Sequence, residues 1–172
     1  MESYTLELFP DKQVHIALFQ NVKNASELRQ RIHQQDITLN MALVNASLVL
    51  DKFIVLLAAQ RALSDEAAGS LKTYSLHSEI LFNFGGTNNI GKTLTTFGIT
   101  DQTTHMVAIQ IGEPADKAEM FLKQTIQGDL VSFNQLETIK DKQAIQKAYH
   151  VKNNQDDLVS FVTGQIALRG HI

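Results

Sequence analysis

The chain contains no cysteine and no tryptophan, and only two of its 172 residues are proline. Without cysteine it can have no disulfide framework, no zinc–thiolate site and no cysteine nucleophile. The lack of disulfides fits an intracellular protein. Hydrophobic residues make up 44% of the sequence and charged residues 19%, which indicates a globular fold rather than a disordered chain.

Long apolar segments are also missing. The longest apolar stretch, residues 53–59, is far shorter than the ~20 residues that a membrane-spanning helix needs, and the N-terminus has no apolar signal core. We therefore expect a soluble protein without membrane partners. No internal repeat, low-complexity tract or Pro/Gly/Ser-rich linker is visible, so the sequence predicts a single domain over residues 1–172.

Net charge gives no strong preference for a class of partner. Lys and Arg number 15, and Asp and Glu number 18, which leaves a net charge of −3. Such a chain lacks the overall basic surface that is typical of nucleic-acid-binding proteins. A local basic patch is nevertheless compatible with this balance.

The order of the secondary-structure patterns predicts an α+β fold, in which helices pack on a small, mainly antiparallel sheet. Alternating apolar residues near the N-terminus predict a hairpin that turns at residues 10–12. Helical periodicity follows, with Asn24 and Asp51 as predicted N-caps and Asn154 as the predicted N-cap of the last helix. Gly98 is predicted to end a helix in a left-handed conformation.

Residue types that carry catalysis or bind metals do not form a recognisable set. The six histidines are scattered, and no two have metal-ligand spacing on one helix face with a carboxylate nearby. The adjacent carboxylates at 65 and 66, and those at 156 and 157, point in different directions on a helix and form no acid/base pair. The sequence therefore predicts no catalytic residue and no metal site.

Residues 86–93 match the phosphate-binding pattern G-x-x-x-x-G-K-[ST], from Gly86 to Lys92 and Thr93. Such a loop needs a buried strand before the first glycine and a long helix after the lysine. Here the preceding segment has helical periodicity, and Gly98 leaves only about two helical turns after the lysine. We expect a turn between two short helices, and a nucleotide hydrolase that uses residues 86–93 is the alternative.

Polar residues are dense around this turn, between residues 72 and 92. Capping of helix starts accounts for some of them, and a solvated surface for others. A polar surface with two helix N-termini and two lysines also suits the phosphates of a nucleic acid. The candidate RNA-binding residues are Lys72, Ser78, Asn83, Asn88, Asn89 and Lys92.

Residues 72–84 read Lys-Thr-Tyr-Ser-Leu-His-Ser-Glu-Ile-Leu-Phe-Asn-Phe, and Asn-Asn-Ile and Phe-Gly-Ile follow at 88–90 and 97–99. With smaller blocks upstream, these segments resemble the PRPK-binding protein family (TPRKB), the small kinase-binding subunit of the KEOPS/EKC complex. The resemblance covers most of the chain and is weakest after Gly112. In this family the turn before Ile90 is a helix connection that does not require a Gly-Lys-Thr sequence. The phosphate-loop match is then an accident of this sequence.

The resemblance implies a non-enzymatic subunit without a cofactor, located in the cytoplasm and nucleus. Its expected partner is a small atypical kinase/ATPase, which sits on the enzyme that attaches threonylcarbamoyl to the adenosine beside the anticodon of certain tRNAs. Family members are also linked to the single-stranded 3′ end of tRNA, and the complex to telomere maintenance. The candidate kinase contact is an apolar helical surface at Leu158, Phe161 and Val162. A kinase-docking scaffold without an RNA role is a further alternative.

Overall fold

Five strands and eight α-helices make up the regular structure in the computed structural model, which describes residues 1–152 and 157–169. The strands are β1 (Glu2–Leu6), β2 (Phe9–Gln20), β3 (Ala42–Asn45), β4 (Met106–Ile111) and β5 (Asp129–Val131). The helices are α1 (Ala25–His33), α2 (Lys52–Ala67), α3 (Leu76–Asn83), α4 (Ile90–Phe97), α5 (Ala115–Thr125), α6 (Leu136–Ile139), α7 (Lys142–Ala148) and α8 (Leu158–Leu168). The predicted α+β class is confirmed. No helix within these described residues is both long and apolar enough to span a bilayer.

Strand β2 organises the sheet, because it pairs with three other strands. The sheet order is β1-β2-β4-β3, β5 pairs with the last part of β2, and every pairing is antiparallel. Side chains along a strand alternate between the two faces. Accordingly, Val14, Ile16 and Leu18 join the core on one face of the sheet, whereas Ala17 and Phe19 join the core on the other.

Helices cover both faces of the sheet. On one face, buried residues of α2 such as Ile54 and Ala58 pack together with residues of α3, α7 and α8. On the other face, α1 and α5 contribute Leu28 and Leu122. A helix that is apolar on most of its sides is expected to lie between several neighbours. Helix α2 fulfils that expectation, because it contacts α3, α8 and the sheet.

The first hairpin turns earlier than the sequence predicts. Its turn lies at residues 7 and 8, and β2 starts directly afterwards, so the expected turn at residues 10–12 is wrong. The register of the β1–β2 pair shifts between Thr5 and Leu6 and skips residues 10–12. Proline has no N–H to donate to a ladder, and a bulge tolerates it for that reason. The proline therefore marks a bulge here rather than a turn.

The predicted N-caps have different roles in the structure. Asp51 caps α2 as expected, because its carboxylate accepts a hydrogen bond from the Ile54 N–H at 3.0 Å. Asn24 directly precedes α1, but its side chain makes no cap hydrogen bond there. It donates instead to the Thr125 carbonyl and accepts from the Gln127 N–H, both at 3.0 Å. Asn24 thus ties the start of α1 to the end of α5.

The C-terminal end of α4 and the N-terminal cap of α8 also differ from the sequence prediction. Gly98 follows α4 with a φ of −70°, so the predicted left-handed conformation is wrong. Glycine is needed for space, since a Cβ at this position would collide with the Leu94 carbonyl oxygen. Asp157 caps α8 by accepting from the Ser160 N–H at 2.9 Å. The predicted cap, Asn154, lies outside the described residues.

The hydroxyl of Tyr149 connects the end of α7 to the residue that follows α3. Tyr149 is 2% exposed, and its hydroxyl donates to the Phe84 carbonyl at 2.6 Å. Burial raises the pKa of Tyr149, so the hydroxyl stays protonated and remains a donor.

Replacement Tyr149→Phe should lower the free energy of unfolding by about 1–3 kcal/mol, because the buried Phe84 carbonyl loses its partner. Urea denaturation monitored by circular dichroism measures this difference. The matched control is Tyr74→Phe, whose side chain is largely exposed and whose replacement should cost less than about 0.5 kcal/mol. Equal losses in the two variants would contradict the role given to the Tyr149 hydroxyl.

Candidate nucleic-acid interface

A cleft of about 310 Å³ lies where α2, the turn after α3 and the end of α8 meet. Helix α2 forms one wall, and the rest comes from the segment before α3, the end of α3, the turn that leads into α4 and the residue that follows α8. The lining residues are Arg61, Asp65, Lys72, Phe82, Asn88, Ile90 and Arg169. They come from distant parts of the sequence, so only the fold brings them together.

Positive charge dominates this cleft. Three of its lining residues, Arg61, Lys72 and Arg169, are cations, whereas Asp65 is the one carboxylate among them. The chain as a whole carries a net charge of −3, so the cleft is a local exception. Clefts lined mainly by one sign of charge focus the electrostatic potential and attract ions of the opposite sign. The cleft therefore has the character of an anion-binding site.

Arg169 is the most constrained of the three cations. It is 7% exposed, and its guanidinium donates to the carbonyls of Phe82 and Gly85 at 2.6 and 3.3 Å. It also donates to the Oδ1 atom of Asn83. The guanidinium carbon lies 3.9 Å from the centre of the Phe82 ring, a cation–π contact. These contacts fix the residue after α8 against the turn after α3.

The charge of Arg169 is maintained despite its burial. Burial and the nearby charge of Arg61 lower the pKa of Arg169 to about 10, while Glu79 and Asp65 act in the opposite direction. This value remains far above neutral pH, so Arg169 is a cation under physiological conditions.

Arg61 binds the same chain end from α2. Its guanidinium donates to the carbonyl of Ile166 and, at 3.2 Å, to that of Arg169. Carbonyls in the last turn of a helix have no partner within the helix, and a cation there also interacts favourably with the helix dipole. Arg61 therefore caps the C-terminus of α8 and fixes its position beside α2.

A second cleft of about 390 Å³ adjoins the first and shares Asn88 and Arg169 with it. Its remaining wall comes from the turn at residues 86–88, the end of α7 and the side of α8. Gln165 of α8 donates to the Tyr149 carbonyl at 3.1 Å and lies against the turn. The two clefts therefore adjoin along a surface that contains Asn88 and Arg169.

The structure brings only part of the predicted RNA-binding set to this surface. Lys72 and Asn88 are exposed and line the cleft. Asn89 and Lys92 are also exposed but lie at the start of α4, outside the residues that line it. The Asn89 side chain accepts from the Lys92 N–H at 3.0 Å and caps α4.

The other two members of the set lie elsewhere. Asn83 is fully buried, where it donates to the Ala58 carbonyl at 3.4 Å and accepts from Arg169. A surface contact between Asn83 and RNA is therefore wrong, and this side chain supports the cleft from inside. Ser78 is half-buried, bonds to the Ser75 hydroxyl at 2.9 Å and lines a separate groove beside α1.

The predicted kinase contacts lie on the inner side of α8. Val162 is fully buried in the core, so its side chain has no surface to offer a partner and its assignment is wrong. Helical periodicity turns this residue, together with Ile166, into the core that also contains α2. Leu158 and Phe161 pack on the edge of this core and stay partly exposed. Their contact with a kinase stays a prediction.

Residues 86–93 do not have the setting of a phosphate loop. The helix α3, and not a strand, precedes them, and α4 has only eight residues. The side chain of Asn89 already occupies the N-terminus of α4, where a phosphate would have to bind. Thr93 is 3% exposed and packs against Gly85, so its hydroxyl is not available to a metal ion. The expected turn between two short helices is confirmed.

The described histidines, aspartates and glutamates are the candidate ligands for a metal ion. Among residues 1–152 and 157–169, no three His, Asp or Glu side chains are grouped so that they could hold a metal ion. His77, in the first turn of α3, is mostly buried, and burial lowers its pKa to about 4. His77 is therefore neutral at physiological pH.

Sequence reasoning missed five lining residues, namely Arg61, Asp65, Phe82, Ile90 and Arg169. A signal existed for Arg61, because it is the one charged residue in the apolar stretch of α2 between Lys52 and Asp65. No local signal existed for Arg169, because its partners Phe82 and Asn83 precede it by 87 and 86 residues.

Comparison with known proteins shows the family to which the chain belongs. Residues 19–170 match the family model described as "Kinase binding protein CGI-121". The chain belongs to the CGI-121 family. The resemblance inferred from the sequence is thereby confirmed.

Several relatives carry names that agree with this family. The chain is 36% identical to the EKC/KEOPS complex subunit cgi121 of Aspergillus fumigatus over 169 residues, which cover 91% of this chain and 89% of the relative. It is 35% identical to the EKC/KEOPS complex subunit TPRKB of Danio rerio, with 88% and 86% covered. It is also 43% identical to the EKC/KEOPS complex subunit CGI121 of Yarrowia lipolytica over 102 residues, 59% of this chain and 60% of the relative.

Replacements of Asn83 and Asn88 form a matched pair that compares a buried asparagine, which stabilises the fold, with an exposed one. Replacement Asn83→Ala should lower the free energy of unfolding by about 1–3 kcal/mol, because it leaves donors of buried Arg169 and the Ala58 carbonyl without their partner. Replacement of the exposed Asn88 by Ala should change it by less than about 0.5 kcal/mol. Thermal and urea denaturation of both variants check this order, and a larger loss for Asn88→Ala would refute it.

Proposed function

We propose that the chain is a non-catalytic subunit of an EKC/KEOPS complex, which binds the small kinase of that complex and helps to recruit tRNA by its 3′ end. The description of its family and the names of its relatives support the kinase-binding part. In this role the chain contacts the threonylcarbamoyl-transferring enzyme through the kinase. Its proposed location is the cytoplasm and nucleus, with a further role in telomere maintenance through the complex.

The cationic cleft carries the RNA part of the proposal. Single-stranded nucleic acids bind in positively charged grooves that follow the backbone and offer a flat group for base stacking. Arg61, Lys72 and Arg169 supply the charge. The guanidinium of Arg169 already stacks on the Phe82 ring and is almost fully buried, so it contributes charge to the cleft and not a stacking surface. A cleft of about 310 Å³ favours a single-stranded end over a duplex.

Lys72 tests this assignment, because its side chain is exposed at the rim and makes no contribution to the core. Replacement Lys72→Ala should weaken binding of intact tRNA about fivefold at 0.1 M salt. A lysine that contacts one phosphate of a single strand releases about 0.7 of a counterion from the RNA, and the variant loses this contribution to the affinity. The slope of log affinity against log salt should become shallower by about 0.7. Fluorescence anisotropy over a salt series measures both quantities.

The control is Lys117→Ala, an exposed lysine on α5 at the opposite face of the sheet, which should leave both quantities unchanged.

Wild-type protein should also lose affinity for tRNA from which the terminal nucleotides have been removed. Equal binding of intact and truncated tRNA would overturn recruitment by the 3′ end. Absence of any tRNA binding would favour a kinase-docking scaffold. ATP turnover that Lys92→Ala abolishes would favour the hydrolase.

The outer face of α8 supports a docking surface for the kinase. Helix α8 contains no Asp, Glu, Lys or Arg, although a helix at a protein surface normally has a charged face. Its inner face is in the core, and residues Ser160, Ala167 and Leu168 are exposed on the outer side. A Cβ added at Gly164 would meet no neighbouring atom, so this side of the helix is open. An uncharged, exposed helix face is a surface that a partner protein can cover.

Replacement Ala167→Glu should weaken kinase binding by at least about 2 kcal/mol, roughly thirtyfold, because it buries an unpaired carboxylate in the interface. The stability of the isolated chain should change little, since the position is exposed. Isothermal titration with the purified kinase measures the affinity. The control is Met120→Glu on α5, which is 59% exposed and lies away from α8. Normal kinase affinity of Ala167→Glu would rule out this face.

A further inference from the structure

Glu79 of α3 is a fully buried carboxylate. Its Oε2 atom accepts hydrogen bonds from the N–H groups of Lys72 and Thr73 at 3.0 and 2.8 Å, and from the Thr73 hydroxyl at 2.8 Å. Its Oε1 atom has no hydrogen-bond partner within the described residues. Burial of a carboxylate is costly unless hydrogen bonds compensate for the lost water. All of the side-chain hydrogen bonds that Glu79 makes here are directed at two consecutive residues.

These hydrogen bonds hold a segment that has no regular structure of its own. Residues 70–75 join α2 to α3 and belong to no helix or strand. No ladder or helical hydrogen-bond pattern therefore determines the path of the chain through Lys72. The single proton of the Thr73 hydroxyl is shared between Glu79 and the Ser75 carbonyl, whose oxygen lies 3.1 Å away and belongs to the residue before α3. Glu79 thus fixes the point from which the Lys72 side chain leaves the backbone.

The same carboxylate acts on the other side of the cleft. Its negative charge favours the charged form of Arg169, against the effect of burial. Glu79 also lies one helical turn before Asn83, which accepts a hydrogen bond from Arg169. Glu79 and Asn83 therefore both act on Arg169, one through its charge and the other through a hydrogen bond.

We propose that Glu79 is a positioning residue for the RNA cleft, because its carboxylate holds the backbone of Lys72 and Thr73 so that the Lys72 ammonium is presented to the RNA backbone. This inference rests on the proposed function of the cleft. Glu79 does not contact RNA, since it is buried beneath the segment that it holds.

A double-mutant cycle of Glu79→Gln and Lys72→Ala tests this proposal. Glutamine has the same shape, but it lacks the charge and has one acceptor oxygen instead of two. Glu79→Gln alone should weaken tRNA binding by up to about fivefold at 0.1 M salt and make the salt slope shallower by up to about 0.7, the values for complete loss of one phosphate contact. In the Lys72→Ala background it should have no further effect, because the positioned group is already absent. Affinity for the kinase should stay unchanged in all variants.

A second measurement tests, without RNA, whether Glu79 holds the backbone of Lys72 and Thr73. Hydrogen exchange of the Lys72 and Thr73 amides should become faster in Glu79→Gln, because the acceptor that protects them is weakened. The milder variant Thr73→Val removes only the hydroxyl donor and keeps the branched shape. It should lower tRNA affinity by less than Glu79→Gln and covers the case in which Glu79→Gln does not fold.

The outcomes separate the two proposals. If Lys72→Ala weakens binding but Glu79→Gln and Thr73→Val do not, the positioning role is overturned and the RNA cleft stands. If the effects of Glu79→Gln and Lys72→Ala multiply, Glu79 acts on the cleft by another route and the positioning role is also overturned. If Lys72→Ala does not weaken tRNA binding, the assignment of the cleft fails, and this role for Glu79 fails with it.

Discussion

The guanidinium of Arg169 joins the end of α8 to the turn after α3, and the shape of the candidate interface depends on this contact. Two main-chain carbonyls, the Asn83 side chain and the face of the Phe82 ring surround a cation that has almost no exposed surface. A buried cation without such partners would be strongly destabilising. The contact therefore allows one position for the end of α8. Arg61 binds carbonyls of the same chain end from α2, which fixes the opposite wall.

The polar residues around the cleft divide into an inner and an outer layer. Glu79 and Asn83 form the inner layer, where the Oε2 atom of Glu79 accepts from backbone N–H groups and Asn83 bonds to the Ala58 carbonyl and to Arg169. Lys72 and Asn88 form the outer layer and remain free to contact a ligand. This division explains how an acidic chain presents a local cationic surface: buried groups hold a few cations in place, and the remaining charges are spread over other faces. Affinity for a phosphate depends on that local arrangement rather than on the net charge.

The fold could be predicted from the sequence wherever local periodicity determines the structure. Alternation placed Val14, Ile16 and Leu18 on one face of a strand, and the nearly unbroken apolar character of α2 placed this helix at the centre. The prediction failed where a distant segment decides the local conformation. Residues 10–12 form a bulge because of their register with β1, and the Asn24 side chain bonds to the backbone of residues 125 and 127 instead of capping its own helix. Neither partner is visible in the flanking sequence.

The residues of the candidate site could likewise be predicted only where they lie close together in the sequence. Lys72 and Asn88 could be predicted because they lie in one short polar segment, and the burial of Asn83 was open to prediction because it falls three residues after Ile80 on the inner side of α3. The phosphate-loop pattern specifies residue types only, whereas phosphate binding needs free N–H groups at a helix start, and here the Asn89 side chain accepts from the Lys92 N–H.

Lys92 and Arg169 show why burial is more informative than a motif. Lys92 completes the pattern but is an exposed side chain at the start of a short helix. Arg169 belongs to no pattern, yet four neighbouring groups from one turn hold it in place. A flexible exposed lysine contributes little until a ligand orders it, because fixing its side chain costs entropy. A cation that the protein has fixed on folding has already lost that entropy, so Arg169 supplies a constant positive charge to the cleft, while a ligand would contact exposed groups such as Lys72.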